Sequence, residues 1–271
     1  MLIITGASGF IGQNLFNKLA SSSITISRNP INNKHHLSID LTNKEQLINK
    51  LKNVKFNKII HLAAATYNNN STTRFKDNIL MMRNLIELAQ NNNNTPIIYI
   101  STFSACYKDD AYAKTKREAE KILQNSPIPH TILRPTMIIG RNSKDIDKFK
   151  KLLHFGIIPL ANGGKQKIQP IKDESVTEWI IHFINGSQNN DKYIIAGNKI
   201  ITTHDFIDQY IRRNSNIIPI PKSILLNPLT KQFPQIYENL KTFTLDLTPE
   251  TLINKILSKT EKFDSIAYQF N

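Results

Sequence analysis

Three glycines, Gly6, Gly9 and Gly12, stand three apart within the first twelve residues, directly after the apolar run Leu2-Ile3-Ile4 and just ahead of an amphipathic stretch over 13–20. Apolar run, glycine triplet and amphipathic stretch in that order leave one economical arrangement: strand, tight turn, helix. Each glycine has a distinct task in such a turn. Gly6 permits a sharp backbone reversal, Gly9 lets the chain approach a pyrophosphate with no Cβ in the way, and Gly12 lets the helix pack closely on the strand. The helix N-terminus adds free N–H groups and a partial positive charge, both suited to phosphate. The spacing therefore predicts a dinucleotide site at the head of a parallel sheet.

A chain of 271 residues suits one large domain, or a nucleotide-binding domain with a smaller one attached. Hydrophobic residues make up 40% of it, enough for a core, yet no run approaches the ~20 apolar residues that span a bilayer. The first residues already read as a strand, so no leader segment is expected. Cys106 is the sole cysteine, and no Cys/His cluster has metal-ligand spacing. The expectation is a chain with no metal in a reducing, cytoplasmic setting. A net charge of +14 raises the question of nucleic acid. The lysines are scattered, however, and no basic module interleaved with aromatics is present, so nucleic acid is not an expected partner. Runs of asparagine at 68–70 and 91–94 fit a drift of the whole composition towards Asn, Lys and Ile.

Apolar runs alternate with amphipathic stretches through the first two-thirds of the chain, which argues for α/β architecture: a Rossmann-type, doubly wound parallel sheet. Strands are expected at 2–4, 24–27, 36–39, 58–62, 97–101 and 131–133, and helices at 11–20, 44–52, 73–90, 112–124 and 145–154. Thr42 and Glu45 have capping-box spacing ahead of the second helix. Beyond about residue 155 prolines and short apolar runs break the alternation, with further helices at 176–184, 203–213 and 249–257. The expected division is a dinucleotide-binding domain over 1–155 and a small C-terminal substrate lobe over 156–271, some of whose elements return to the sheet.

Two positions bear on which dinucleotide is held. The second strand ends Ser27-Arg28-Asn29-Pro30, where an acid would bind the 2′-hydroxyl of NAD. No acid stands there, and Arg28 suits a 2′-phosphate, with Ser27 as a further donor, so NADP is favoured and NAD stays open. Asp40-Leu41 closes the third strand, where Asp40 has two readings: contact with the adenine amino group, or a cap for the helix that follows. The reactive pattern is Tyr112-Ala113-Lys114-Thr115-Lys116. Tyr112 and Lys116, four apart, share one helix face, and an ammonium beside a phenol lowers the phenol's pKa towards the range useful for proton transfer. The strand ending Tyr99-Ile100-Ser101-Thr102 brings a hydroxyl to the same end of the sheet.

At this point the chain resembles the extended short-chain dehydrogenase/reductases, the NAD(P)-dependent epimerase/dehydratase family. The resemblance is carried by Gly6/Gly9/Gly12, Asp40-Leu41, His61-Leu62-Ala63-Ala64, Asn78, Tyr112/Lys116 followed by Glu118-Ala119-Glu120, and Leu133-Arg134-Pro135 leading to Gly140. The stretches over 132–140 and 158–171 are similar to a branch that holds uncharacterised sugar-nucleotide enzymes and relatives of the dinucleotide-binding subunit of respiratory complex I. The resemblance implies that Gly6, Gly9 and Gly12, with the N–H groups of Phe10 and Ile11, hold pyrophosphate. It implies that Asp40 and Leu41 meet adenine and that Leu62, Ala63 and Ala64 line the cofactor wall. Tyr112 is implied as acid/base, Lys116 as the ligand of the nicotinamide ribose, and Pro135 and Met137 as packing beside the nicotinamide. Asn78 is implied to bond backbone between helix and strand.

The chain departs from that pattern after the fifth strand, in Ser101-Thr102-Phe103-Ser104-Ala105-Cys106-Tyr107. Two hydroxyls compete there, Thr102 favoured over Ser104, and the short segment before Tyr112 leaves Tyr107 a second candidate for the site. Asp173-Glu174-Ser175 stands where relatives open a helix with two acids, and Ser175 is the expected cap. The resemblance implies an oxidoreductase or epimerase acting on a nucleotide-linked sugar, with reduction of a 4-keto sugar the leading version. The alternative it leaves is a dinucleotide-binding regulatory or assembly subunit without turnover. Arg134, Arg141, Lys148 and Lys165 read as surface charges within reach of an anionic substrate. Leu80, Leu85, Leu88, Ile122 and Leu123 fit a homodimer seam and equally the core of a monomer.

Overall fold

The computed structural model describes residues 1–30, 33–65, 76–140, 157–211 and 216–221, together with 143, 146, 150, 248–250 and 265–268. Along the chain run β1 (Leu2–Thr5), α1 (Phe10–Leu19), β2 (Ser23–Ser27), β3 (His36–Ser38), α2 (Lys44–Leu51), β4 (Lys58–His61) and α3 (Lys76–Gln90). These are followed by β5 (Ile97–Ile100), α4 (Ala111–Gln124), β6 (His130–Pro135), β7 (Ile138–Ile139), β8 (Ile157–Ala161), β9 (Lys167–Ile168) and β10 (Ile171–Lys172). The last described are α5 (Asp173–Asn185), β11 (Asp191–Ala196), β12 (Ile201–Thr202), α6 (Thr203–Tyr210), β13 (Asn216–Ile220) and β14 (Ser265–Tyr268).

Among the described residues eight strands form one sheet in the order β14-β11-β6-β5-β4-β1-β2-β3, and every neighbouring pair is parallel. Parallel strands covered on both faces need apolar side chains on both, which is why these strands read as nearly continuous apolar runs. One face carries Ile3, Ile26, Ile59, Ile97, Tyr99 and Ile132 against Leu47 and Leu51 of α2, Met82 and Leu85 of α3, and Ala119 and Leu123 of α4. The alternate residues Leu2, Ile4, Ile60, Ile98 and Leu133 turn to the other face and meet Leu15 of α1 and Val176, Ile180 and Phe183 of α5. Leu85, Leu88 and Leu123 thus serve the core of one chain, while Leu80 is 43% exposed.

β1 has β2 on one side and β4 on the other. The chain winds in opposite directions from that point, which opens a crevice at the carboxyl ends of the strands, directly above the glycine turn. After residue 156, β11 and β14 extend the main sheet, β9/β12 and β8/β13 form two-stranded pairs, and β10 pairs back with β7. Ile139, Leu160, Ile168, Phe206 and Ile207 make a separate core among those pairs.

Three expectations at helix ends change. Asn43, not Thr42, caps α2, its side chain accepting from Gln46 N at 3.0 Å. Ser175 does not cap α5: the helix opens at Asp173 with Lys172 as its N-cap residue, and Ser175 is buried inside the first turn. The helix expected at 203–213 is described as Thr203–Tyr210. The helix expected at 145–154 lies outside the described residues except at 146 and 150, and that at 249–257 except at 249 and 250.

Candidate active site

The glycine turn has the geometry its spacing predicts. Gly6 has φ +72°, and a Cβ there would stand 2.5 Å from Ala63 N, so the turn reverses against the backbone that follows β4. A Cβ on Gly12 would stand 2.2 Å from Gly6 O, so only glycine lets α1 begin this close to β1. Gly9 differs from both: among the described residues its Cβ would meet only Gly6 O, at 3.1 Å, and would otherwise enter open space. Gly9 is also the N-cap residue of α1, and among the described residues no side chain caps that end. An uncapped helix N-terminus facing a space kept clear by a glycine suits a phosphate, so the residues present fit a dinucleotide.

Beside the turn, Leu62, Ala63 and Ala64 leave β4 half-buried. Ala63 N donates to Thr5 Oγ1 at 3.3 Å, which joins the two carboxyl-end segments. On the other flank Arg28 is exposed at the end of β2. The Ser27 hydroxyl donates to Asn29 O at 2.6 Å, so its proton serves the local turn. Asp40 accepts from Thr42 N at 2.9 Å and from Thr42 Oγ1 at 2.8 Å, which fixes the turn after β3; Leu41 beside it is buried. Asn78 bonds backbone, as the resemblance implied: its Oδ1 accepts from Ala65 N at 2.8 Å, and its Nδ2 donates to Thr115 Oγ1 on α4 at 3.2 Å.

After β5 the two competing hydroxyls meet, Thr102 Oγ1 lying 2.9 Å from Ser104 Oγ, with Thr102 capping the short 3₁₀ turn Phe103–Cys106. Tyr107 packs edge-on against Phe103 at 5.5 Å between ring centroids, in a cluster with Ile194 and Cys106. Arg117 pins the short segment that follows, donating to Ala105 O at 2.9 Å and to Asp109 Oδ1 at 3.0 Å. Asp110 then caps α4 through Ala113 N at 2.9 Å, which presents half-buried Tyr112 in the first turn of that helix.

Lys116, one turn on, is buried. Its ammonium donates to Ile100 O at 2.8 Å and sits 4.3 Å from the centroid of the Tyr99 ring. Burial pulls its pKa down to about 7, with Glu120 acting the other way. Close by, His61 is pulled down to about 3 by burial and by the charge of Lys116, so it is neutral at ordinary pH. At the end of β6, Pro135 is buried and Met137 half-buried; Met137 O accepts from Ile171 N at 2.9 Å.

Two arrangements were not legible in the sequence. Arg134, expected at the surface, is fully buried: its Nε donates to Glu120 Oε1 at 2.9 Å and its Nη1 lies 3.2 Å from Cys106 Sγ. Ser101 donates to the same carboxylate, and Lys192 Nζ lies 3.9 Å from it. The signal was the pairing of an acid on the buried face of α4 with a basic residue in a strand covered on both sides, where an unpaired charge is costly. The second arrangement involves Asp173, whose carboxylate accepts from Asn14 on α1 at 2.7 Å and occupies the space left by the missing side chain of Gly140. Lys165 is exposed, and Arg141 and Lys148 lie outside the described residues.

Comparison with known proteins bears on the fold. Residues 2–173 match the NAD dependent epimerase/dehydratase family. The chain is similar to UDP-N-acetylglucosamine 4-epimerase from Bacillus cereus, with TM-score 0.65 and 22% identity over 81% of this chain and 85% of that one. It is likewise similar to the UDP-glucose 4-epimerase of Thermus thermophilus, with TM-score 0.67 and 16% identity over 93% of this chain and 92% of that one. At those identities the likeness is one of fold. A 25% identical relative over 158 residues is NADH dehydrogenase [ubiquinone] 1 alpha subcomplex subunit 9, mitochondrial, of Dictyostelium discoideum; the match covers 57% of this chain and 44% of that protein. Among the described residues no helix is long and apolar enough to cross a membrane.

Proposed function

Because this chain belongs to the NAD dependent epimerase/dehydratase family, we propose that it is an NADP-linked oxidoreductase or epimerase of a nucleotide-linked sugar, with reduction of a 4-keto sugar the leading reaction. The observation that carries this reading is that one sheet edge holds both a glycine turn left open for phosphate and an α4 that carries Tyr112 and Lys116. Gly6, Gly9 and Gly12 with the N–H groups of Phe10 and Ile11 would hold the pyrophosphate. Leu62, Ala63 and Ala64 would line one wall, Asp40 and Leu41 the adenine end, and Pro135 and Met137 the nicotinamide end. Arg28, exposed at the end of β2 with no acid next to it in the sequence, favours a 2′-phosphate.

The nicotinamide, when bound, supplies the two-electron chemistry. Tyr112 holds a proton at its phenolic oxygen and exchanges it with the substrate oxygen. Lys116 on the same helix face supplies a positive charge that favours the phenolate. Thr102, whose hydroxyl is already paired with that of Ser104, would position the same substrate oxygen. The substrate would lie over the carboxyl edge, between these groups and the strand pairs beyond residue 156.

The test is NADPH oxidation by the purified protein against a panel of keto-sugar nucleotides. Wild type is expected to turn over at least one of them. Tyr112→Phe should lower kcat by about 10²–10⁴-fold, the usual worth of a general acid/base. Unchanged turnover in Tyr112→Phe would remove Tyr112 as the base.

The partial match to a complex I subunit favours a second reading, a dinucleotide-binding assembly or regulatory subunit without turnover. A stable co-purifying partner, with NADPH bound but never oxidised across the panel, would favour it over the first.

A further inference from the structure

Thr5, His61 and Tyr99 occupy one register row across three adjacent strands: Thr5 lies opposite His61, and His61 opposite Tyr99. The same row continues as Ile26 on β2 and Ile132 on β6. A parallel sheet covered on both faces ordinarily fills such a row with aliphatic residues. Here its centre is polar and closely linked. Thr5 Oγ1 lies 2.8 Å from His61 Nδ1, the His61 ring stacks on Tyr99 with centroids 5.3 Å apart and planes 15° apart, and Lys116 Nζ stands 4.3 Å from the Tyr99 centroid. All four residues are 1% exposed or less. Thr5 immediately precedes Gly6, so the row runs unbroken from the glycine turn to the buried lysine.

A buried ammonium needs compensation, and the groups around Lys116 say where it comes from. Glu120 on the same helix favours the charged form through its own charge, while its oxygens hold Arg134 of β6, Ser101 and, at longer range, Lys192 of β11. His61 of β4 is neutral. The charge of Tyr112 on α4, when ionised, acts on Tyr99 to raise its pKa. Beside the charge of Glu120, the carbonyl of Ile100 and the negative face of the Tyr99 ring stand in direct contact with the ammonium, and a desolvated cation over a ring is held more strongly than one in water.

We propose that Tyr99 is a positioning residue: its ring, held in attitude by His61 and Thr5, seats the ammonium of Lys116 at a fixed place relative to the glycine turn. The proposal rests on the reading that Lys116 meets the ribose of a bound dinucleotide. Its test compares Tyr99→Phe, which keeps the ring, with Tyr99→Leu and Tyr99→Met, which remove it. Two quantities are read. One is the Lys116 titration midpoint in the protein without nucleotide, from lysine ¹³Cε resonances assigned with Lys116→Met. The other is the Kd for NADPH by fluorescence. Tyr99→Phe should keep both within about twofold of wild type. Loss of the ring should weaken NADPH by roughly 3–30-fold and move the Lys116 midpoint to lower pH, because an interaction favouring the charged form is gone. Folded ring-less variants with wild-type midpoint and Kd would overturn the proposal, as would a Tyr99→Phe that behaves like Tyr99→Leu. Failure of wild type to bind NADPH would sink the cofactor reading alone, since the midpoint still judges the seat.

Discussion

Lys116 is buried, and its stability consequences follow from the direction of its pKa shift. Its folded pKa is lowered to about 7 from an unfolded value of 10.5. Between those values the unfolded chain binds more protons than the folded one, so folding stability rises with pH across that window. Below about pH 7 both states are protonated and the full penalty for the buried charge remains. Lys116→Met removes the penalty together with its pH dependence. Urea unfolding of the two proteins should therefore show the methionine variant gaining most, relative to wild type, at pH 6 and least at pH 10. A difference that stays constant with pH would mean that Lys116 is not titrating in this window. The same scale separates the glycines: Gly6 and Gly12 are required by backbone contact, whereas Gly9 keeps a space clear. Spacing alone singled out Gly6 and Gly12, because each demand there falls on glycine for a local backbone reason.

Among the elements, α4 is tied to β6 and the 3₁₀ turn by a buried carboxylate–guanidinium pair. Glu120 and Arg134 satisfy one another, and Ser101 and Cys106 add partners on either side. Removing one member leaves a buried charge unpaired, which typically costs about 3–5 kcal/mol, whereas replacing both with apolar residues of similar volume is commonly far milder. Glu120→Leu alone and Arg134→Met alone should each lower stability by about that amount, and the double variant should recover much of the loss in denaturant titrations. Additive losses would contradict the pairing. Helix periodicity showed which face of α4 is buried. It did not show that a charge on that face meets a charge on β6, because that contact depends on how the helix lies across the sheet. The same holds for Asp173, Asn14 and Gly140, which are distant in sequence and meet only after α1 and α5 cover the same sheet face. Helix caps failed for a smaller reason: Thr42, Asn43 and Ser175 are all competent caps, and only the backbone path decides among them.

For the molecule as a whole, alternating apolar and amphipathic stretches were enough to read the parallel sheet, because strands covered on both faces must be apolar throughout. The order β3-β2-β1-β4-β5-β6 then places the crevice at the glycine turn without further information. Less was legible beyond residue 156, where two-residue strands carry no periodicity of their own and pairing is decided by distant partners. The high positive charge is a property of the entire chain and bears on ligands mainly through its sign. The central claim, a dinucleotide held at the glycine turn with its 2′-phosphate met by Arg28, is tested most directly by fluorescence titration of wild type and Gly9→Ala with NADPH and NADH. Wild type is expected to bind NADPH about tenfold or more tightly than NADH, the worth of a charge-assisted hydrogen bond. Gly9→Ala should remain folded and lose affinity for both, since its methyl enters the space kept for phosphate. Absence of binding to either nucleotide, or a Gly9→Ala that binds as wild type does, would contradict the account.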